Sequence, residues 1–329
     1  MNPVDFLYLS QEDILTLNIP ISKVIELVEE GLKEHGLGYV ENPPKPGIHS
    51  KSDSFIHAMP AYYERLKIGG LKWVSGYPTN RRQGLPQIAG LMIVNDMETG
   101  MPLAVMDCRW ITAVRTAAVS AVTAKYCALP GATSLGVVGC GVQGSMNLVA
   151  FKEILPALEK IRIFDINMDA MKRYKAKYEK ELGLDITICD SVESTVDDMD
   201  LILTATQRLK EPIVKNEWFK PGCLGFGLEA SRAWYGDAIL GADKFITDSW
   251  DQTVHFYEQG AFPDGLPKLF AELGEIVAKK KAGRENSEER ILAINIGLAL
   301  EDVIVANHIY EKVKDNPDVT RLTLMKETF

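Results

Sequence analysis

The run SLGVVGCGVQGSMNLVAF, residues 134 to 151, limits what this 329-residue chain can fold into more than any other stretch. A short apolar strand is followed by a turn carrying Gly139, Gly141 and Gly144, then by a helical pattern that opens on Val142 and Gln143. In a dinucleotide-binding βαβ unit the first glycine permits the tight turn and the second lets the backbone approach a pyrophosphate. The third allows the helix to pack closely on the strand. The next apolar run, KIRIFD, ends in Asp165. That lies about twenty residues after the last glycine, where a carboxylate accepts hydrogen bonds from the adenosine ribose and repels a 2′-phosphate. The expected cofactor is therefore NAD, in preference to NADP. The competing reading is an α/β domain that uses these glycines for packing alone.

The flanking pattern supports the nucleotide reading. From Trp110 onward, beginning with the alanine-rich WITAVRTAAVSAVTAKYCAL, helix and strand signals alternate. Apolar strands are expected at 135–139, 161–164, 200–204, 223–226 and 244–247, with helices at 142–154, 167–181 and 268–281. Such alternation means a parallel sheet covered on both faces. The run EERILAINIGLALEDVIVANHIYEKV reads as one long closing helix whose end returns to the first domain.

The N-terminal part differs. Residues 10 to 35 read as helical, with Ser10 as an N-cap, and Ser22 opening a second stretch in which Val24, Val28 and Leu32 share a face and Gly36 ends the helix. From 54 to 108 come short β-branched and aromatic runs, with ETGM as a hairpin turn before PLAVMDC, so an antiparallel sheet is expected. The fold class is α/β: a Rossmann dinucleotide-binding domain at 116–304, plus an α+β substrate and dimerisation domain at 1–115 joined by residues from about 305 to 329.

Composition removes several function classes. A net charge of −9 is spread over both halves without a basic stripe, so no nucleic-acid surface is expected. No apolar stretch approaches the ~20 residues of a membrane span, and MNPVDFLYLSQED lacks the layout of a signal peptide, so no membrane partner and a cytoplasmic location are expected. The five cysteines (Cys108, Cys127, Cys140, Cys189 and Cys223) have no C-x-x-C spacing, which suits reduced core thiols rather than disulfides or a metal site.

Two cations occupy unusual places. Lys72 lies in the apolar strand context GGLKWVSGYP, and Arg115 lies among alanines and valines in ITAVRTAAVSA. Buried cations need anions, and a pair from separate elements suits a substrate carboxylate. The alternative is that each pairs with a carboxylate of the protein, such as Asp107 or Glu229. Thr204 and Thr206, in LILTATQ, fall at the carboxyl ends of the parallel strands, where ligands gather in such sheets, and line the nicotinamide side or serve as ordinary turn residues. Asp302, in LALED, is assigned to structure between the domains, and AKKKAGR at 278–284 to a solvated helix end.

The segments KWVSGYPTNRRQGLPQIAGLMIVND, PLAVMDCRWITAVRTAAVSAVTAKYCA, GVVGCGVQG, FAELGEIVAKKKAGR and NIGLALEDVIVANHIY resemble, in order, those of the ornithine cyclodeaminase and mu-crystallin family. That family also contains archaeal-type alanine dehydrogenases, ketimine reductases and lysine cyclodeaminases. The resemblance implies a homodimer that joins N-terminal sheets, an active site in the cleft between the domains, and an amino or imino acid substrate. It also implies a basic trio for the α-carboxylate. Lys72 and Arg115 match two of its members, and the third falls at Lys45 in NPPKPGIHS, where the family usually has arginine. Glu229 takes the place of a cyclodeaminase aspartate, and SRAWYG replaces the P-G-K-x-E-L-like run that follows it.

One departure bears on the reaction. In ornithine cyclodeaminases a glutamate in a segment like IELMP contacts the distal ammonium, and aligning that segment on IHAMP puts His57 at its position. Replacing a carboxylate by imidazole removes much of the selectivity for a diamino acid, whereas simple hydride transfer loses nothing. The leading expectation is an NAD(H)-dependent amino acid dehydrogenase or imine reductase, with Lys72 and Glu229 as catalytic residues and Lys45, His57, Lys72 and Arg115 binding the substrate. Ornithine cyclodeaminase is the alternative. A non-catalytic binding protein like mu-crystallin is the alternative of another class. For His57 itself the competing reading is a core imidazole bonded to backbone.

Overall fold

The computed structural model describes residues 3–51, 53–207 and 209–326. The chain separates into two compact units, residues 1–115 with 298–329, and residues 116–297.

The first unit begins with β1 (Val4–Leu9) and α1 (Gln11–Thr16). Ser10 caps α1 as expected: its hydroxyl accepts from the Asp13 N–H at 3.2 Å, and its own N–H donates to Asp13 Oδ2 at 2.8 Å. The next helix, α2 (Ile21–Leu37), starts before Ser22 and runs past Gly36. Its N-cap is Pro20 and its stop is Gly38, whose φ of 87° is left-handed backbone that glycine adopts without strain. Val24, Val28 and Leu32 are buried together on its inner face.

Strands β2 (Val40–Glu41), β3 (Gly47–Ile48), β4 (Phe55–Tyr63), β5 (Ile68–Gly76), β6 (Ile88–Asn95) and β7 (Pro102–Asp107) follow. From β4 to β7 each strand pairs antiparallel with the next, as the alternating runs require. The two-residue period puts Met59, Tyr63, Lys72, Val74, Met92, Val94 and Met106 on one buried face. On the other face the paired residues Trp73 and Leu91 stay exposed. Helix α3 (Arg109–Cys127) then carries the chain out of the first unit.

The second unit comprises β8 (Ser134–Val138), α4 (Val142–Ile154), β9 (Lys160–Phe164), α5 (Met168–Leu182), β10 (Asp185–Ile188), α6 (Val192–Val196) and β11 (Leu201–Thr204). It continues with β12 (Leu224–Gly227), α7 (Gly236–Leu240), β13 (Lys244–Thr247), α8 (Trp250–Glu258), β14 (Leu269–Glu272), α9 (Leu273–Val277) and β15 (Ile291–Ala293). The sheet is parallel, in the order β10-β9-β8-β11-β12-β15-β13-β14. Strand order reverses between β8 and β11, which opens the crevice where such sheets bind nucleotides.

Three expectations need correction here. The stretch 268–281 is not one helix: Leu269–Glu272 pairs with β13 as β14, leaving only the short α9. The closing run is likewise split, because Ile291–Ala293 inserts as β15 between β12 and β13, and a short apolar run looks the same in a buried strand as in a helix. Within 278–284, Arg284 is not solvated: its Nε donates to the Cys127 carbonyl at 2.8 Å and Nη1 to the Glu289 carbonyl at 2.6 Å.

Helix α10 (Ala299–Val313) and strand β16 (Arg321–Met325) complete the first unit. α10 packs on α2 and across β4 to β7, and β16 pairs antiparallel with β1, which runs parallel to β7. The Tyr63 hydroxyl donates to the Leu300 carbonyl at 2.8 Å, fixing the start of α10 over β4. The chain thus has the expected Rossmann unit and an α+β unit built from both ends of the sequence. Among the described residues no helix is long and apolar enough to cross a membrane.

Candidate active site

In the second unit the glycine turn joins β8 to α4. Gly139 has φ 109°, and a Cβ there would stand 2.5 Å from the Ala205 carbonyl oxygen. A Cβ on Gly144 would collide with the Gly139 carbonyl, so the helix comes this close to the turn only because residue 144 lacks a side chain. Gly141 is different: a Cβ there would meet nothing within 4 Å. The middle glycine thus faces open space at the amino end of a 13-residue helix, next to the exposed Val142 and the half-buried Gln143, where backbone N–H groups favour an anion. Asp165 directly follows the neighbouring strand β9. Its Oδ2 accepts from the Cys140 N–H at 2.8 Å and its Oδ1 from the Asn167 N–H at 2.9 Å, which ties the acid to the turn. The cleared approach at Gly141 beside an anchored carboxylate fits a dinucleotide.

At the carboxyl ends of the strands, Thr204 closes β11, Glu229 follows β12 and Asn295 follows β15. These strands are neighbours. The Thr206 N–H donates to Glu229 Oε2 at 3.2 Å. Thr206 Oγ1, Glu229 Oε1 and Asn295 Oδ1 are buried without a hydrogen-bond partner among the described residues. Buried polar atoms are seldom left so, and a polar ligand at this edge would satisfy them. Burial pushes the Glu229 carboxyl up to about 7, against the opposing pull of the Thr204 hydroxyl and the Thr206 N–H. Glu229 is thus no solvated loop acid. Asn295 carries no signal in the sequence because its apolar run has the look of a helix; its Nδ2 donates to Thr123 Oγ1 at 3.1 Å, which aims Oδ1 the other way.

In the first unit, Lys72 on β5 and Arg115 on α3 do meet, and the anions between them come from α10. Lys72 Nζ donates to Asp302 Oδ2 at 2.6 Å, Arg115 Nε to Asp302 Oδ1 at 3.1 Å and Arg115 Nη1 to Glu301 Oε2 at 2.7 Å. Both cations thus pair with carboxylates of the protein, Asp302 for Lys72 and Glu301 with Asp302 for Arg115. Asp107 accepts from the Arg109 N–H at 2.8 Å, and Asp302 ties α10 to β5 and α3 inside the first unit. Burial lowers the pKa of Lys72, while Asp302 opposes that shift. An ammonium carries three donors and a guanidinium five, so cations fixed in this way can also face a further carboxylate.

His57 lies on the same face of β4 as Met59, which sits opposite Lys72. Its ring stacks on Phe55 (centroids 4.4 Å apart, planes at 21°) and meets His49 edge-on at 6.2 Å. It also lies against Gly47, where a Cβ would stand 2.9 Å from Nε2. Lys45, half-buried, sits on the loop before β3. That loop is held at one end by Asn42, whose Oδ1 accepts from the Leu300 N–H at 2.9 Å, and at the other by the Pro46 carbonyl, which accepts from the Ala58 N–H at 3.0 Å. Lys45 is thereby tethered between the start of α10 and the strand that carries His57.

Relatives share this architecture over nearly their whole length. The chain is 33% identical over 305 residues to the nodulation efficiency protein NfeD of Rhizobium meliloti, covering 92% of this chain and 94% of that one. The solved structure of Thermococcus litoralis Δ1-pyrroline-2-carboxylate reductase, in complex with NADH and L-proline, superposes with a TM-score of 0.86 at 32% identity, covering 96% of this chain and 99% of the other. An archaeal alanine dehydrogenase dimer with bound NAD gives 0.87 at 29%, covering 98% and 100%. The model of the ornithine cyclodeaminase/mu-crystallin family matches residues 7–317, and the chain belongs to that family.

Proposed function

We propose that this protein is an NAD(H)-dependent oxidoreductase acting on the C–N bond of a small amino or imino acid. The observation that carries the reading is Glu229: its Oε1 lies buried and unpartnered at the carboxyl edge of a parallel sheet whose glycine turn fits a dinucleotide, and burial pushes its carboxyl up to about 7. The cofactor, when bound, supplies or removes the hydride at Cα. Gly139, Gly141, Val142, Gln143 and Gly144 hold its phosphates, Asp165 takes the ribose and selects NAD, and Thr204 and Thr206 line its nicotinamide end. Glu229 gives a proton to the nitrogen in reduction and takes it back in oxidation. Lys72 and Arg115, fixed by Asp302 and Glu301, hold the substrate carboxylate with Lys45, and His57 faces the side chain.

The bound ligands of the Thermococcus reductase and of the archaeal dehydrogenase support this choice of substrate class and of cofactor. The latter is also a dimer, and the exposed Trp73 and Leu91 on the open face of the first sheet suit a homodimer joined there. Five buried free cysteines suit the reducing cytoplasm. Cyclodeamination of ornithine is the weaker reading, because an imidazole stands where the resemblance calls for a carboxylate. The test follows NADH absorbance and product with 2-oxo acids plus ammonium or methylamine, with Δ1-pyrroline-2-carboxylate, and with ornithine. Reduction of an imine supports the proposal. Conversion of ornithine to proline without net change in NADH replaces it with cyclodeamination, and tight NADH binding with no turnover of any of them replaces it with a binding role.

A further inference from the structure

Asn147 stands on the inner face of α4, where a helix packed in a core has no need of an amide. It shares that buried side with Gly144, Leu148 and Phe151, and its own side chain is fully buried. Its Oδ1 has no hydrogen-bond partner among the described residues, and an unpaired buried oxygen lowers stability in a way that a leucine of similar shape would not. Its Nδ2, by contrast, reaches two acceptors one turn back along the helix. They are the Gln143 carbonyl at 2.9 Å and the Gln143 side-chain Oε1 at 3.4 Å.

These two contacts fix which way each amide faces. A carbonyl only accepts, so Asn147 must turn its nitrogen, not its oxygen, toward residue 143. Facing that donor, the Gln143 amide must turn its oxygen in, which sends its Nε2 outward with two protons to give. Side chains on a helix lean toward its amino end, so this nitrogen lies toward the glycine turn and the cleared approach at Gly141. Among the described residues no acceptor takes its protons. We propose that Asn147 is a positioning residue that holds the Gln143 amide with its nitrogen toward the cofactor phosphates, an inference that rests on the phosphate-holding role proposed for Gln143. A glutamine left unheld would offer an anion its oxygen as readily as its nitrogen, and the oxygen repels it. A half-satisfied amide in the core is thus set against a donor presented in one orientation instead of two.

The test is Asn147→Leu, read in two ways: the dissociation constants of NADH and of ADP-ribose by calorimetry, and the thermal midpoint of the cofactor-free protein. Both constants are expected to rise about three- to tenfold, while the midpoint holds or rises. The two ligands should lose alike, because ADP-ribose keeps the pyrophosphate and lacks the nicotinamide. Gln143→Ala should weaken both as much, and adding Asn147→Leu to it should weaken them no further. Unchanged affinity in Asn147→Leu overturns the inference and leaves Asn147 a packing residue, whatever its midpoint. A further loss in the double variant overturns it too, as does a loss confined to NADH. If Asn147→Leu does not fold, Asn147→Ser takes its place, because its hydroxyl reaches the carbonyl four residues back but not Oε1, and unchanged affinity there overturns the inference equally. Unchanged affinity in Gln143→Ala instead removes the phosphate role of Gln143 itself, which separates the two failures.

Discussion

Lys72 Nζ lies 2.6 Å from Asp302 Oδ2, and the side chains are 1% and 0% exposed. A charge pair so buried contributes little net stability against well-packed apolar residues, but removing one partner leaves the other stranded. Asp302→Ala is therefore expected to cost about 3–5 kcal/mol in urea unfolding. Lys72→Met combined with Asp302→Leu should recover most of that loss while abolishing substrate binding. Equal stability of the single and double variants would show that the loss does not come from a stranded Lys72 charge.

Gly141→Ala and Gly144→Ala should separate ligand from fold. At Gly144 the new Cβ collides with the Gly139 carbonyl, and overpacking there is expected to cost about 2 kcal/mol or more. At Gly141 the Cβ enters open space, so thermal stability should stay near wild type while NAD affinity falls roughly tenfold or more. Unchanged NAD affinity in Gly141→Ala would move the pyrophosphate elsewhere.

Asp165 governs the choice of cofactor. Wild type should bind NAD more tightly than NADP, and Asp165→Ser should narrow or reverse that ratio. The variant also gives up the acceptor of the Cys140 N–H, so some affinity for both cofactors is expected to go with it. Fluorescence titration with both cofactors checks this, and tighter NADP binding by wild type would sink it.

Glu229 makes stability depend on pH. Its folded pKa, about 7, lies above the ordinary 4.5, so the folded chain binds a proton more tightly than the unfolded one. The contribution is fully present below about 4.5 and is lost as pH rises through 7. Integrated over that interval it amounts to roughly 3 kcal/mol. Denaturation of wild type and Glu229→Gln at pH 4.5 and 8 should show wild type losing about that much relative to the variant. Parallel pH dependence of the two would mean that Glu229 is already ionised in the fold.

His57→Glu restores the acid that the resemblance calls for. The expected outcome is better use of ornithine, read from proline formation, at a loss of roughly 1 kcal/mol from the stack on Phe55. An unaltered ornithine response would leave His57 as a packing residue of β4.

Much of the cofactor half could be read directly because its signals are local. Three glycines, a strand, a helix and Asp165 lie within about thirty residues, and each meets a steric or hydrogen-bonding demand visible in the sequence. Ser10 was legible for the same reason. The substrate half was only partly so. That Lys72 and Arg115 are buried follows from their apolar neighbours, but their partners stand some 190 to 230 residues away in sequence, and no local pattern names them. The strands at 269–272 and 291–293 were lost because a buried strand of three or four residues has no period to display. Asn295 gained its meaning only from Thr123, which the fold brings to it.

The first unit joins segments about three hundred residues apart in sequence, with β16 on β1 and α10 across β4 to β7. During synthesis the first hundred residues leave the ribosome well before Glu301 and Asp302 exist. Until then the cations at 72 and 115 have no anions to enter the core with, and the apolar face of the sheet has no covering helix. Vectorial folding of this unit must therefore wait until α10 and β16 have been made. A nascent chain halted before Ala299 should remain a client of chaperones, while the nucleotide unit, finished by Gly297, is free to form first.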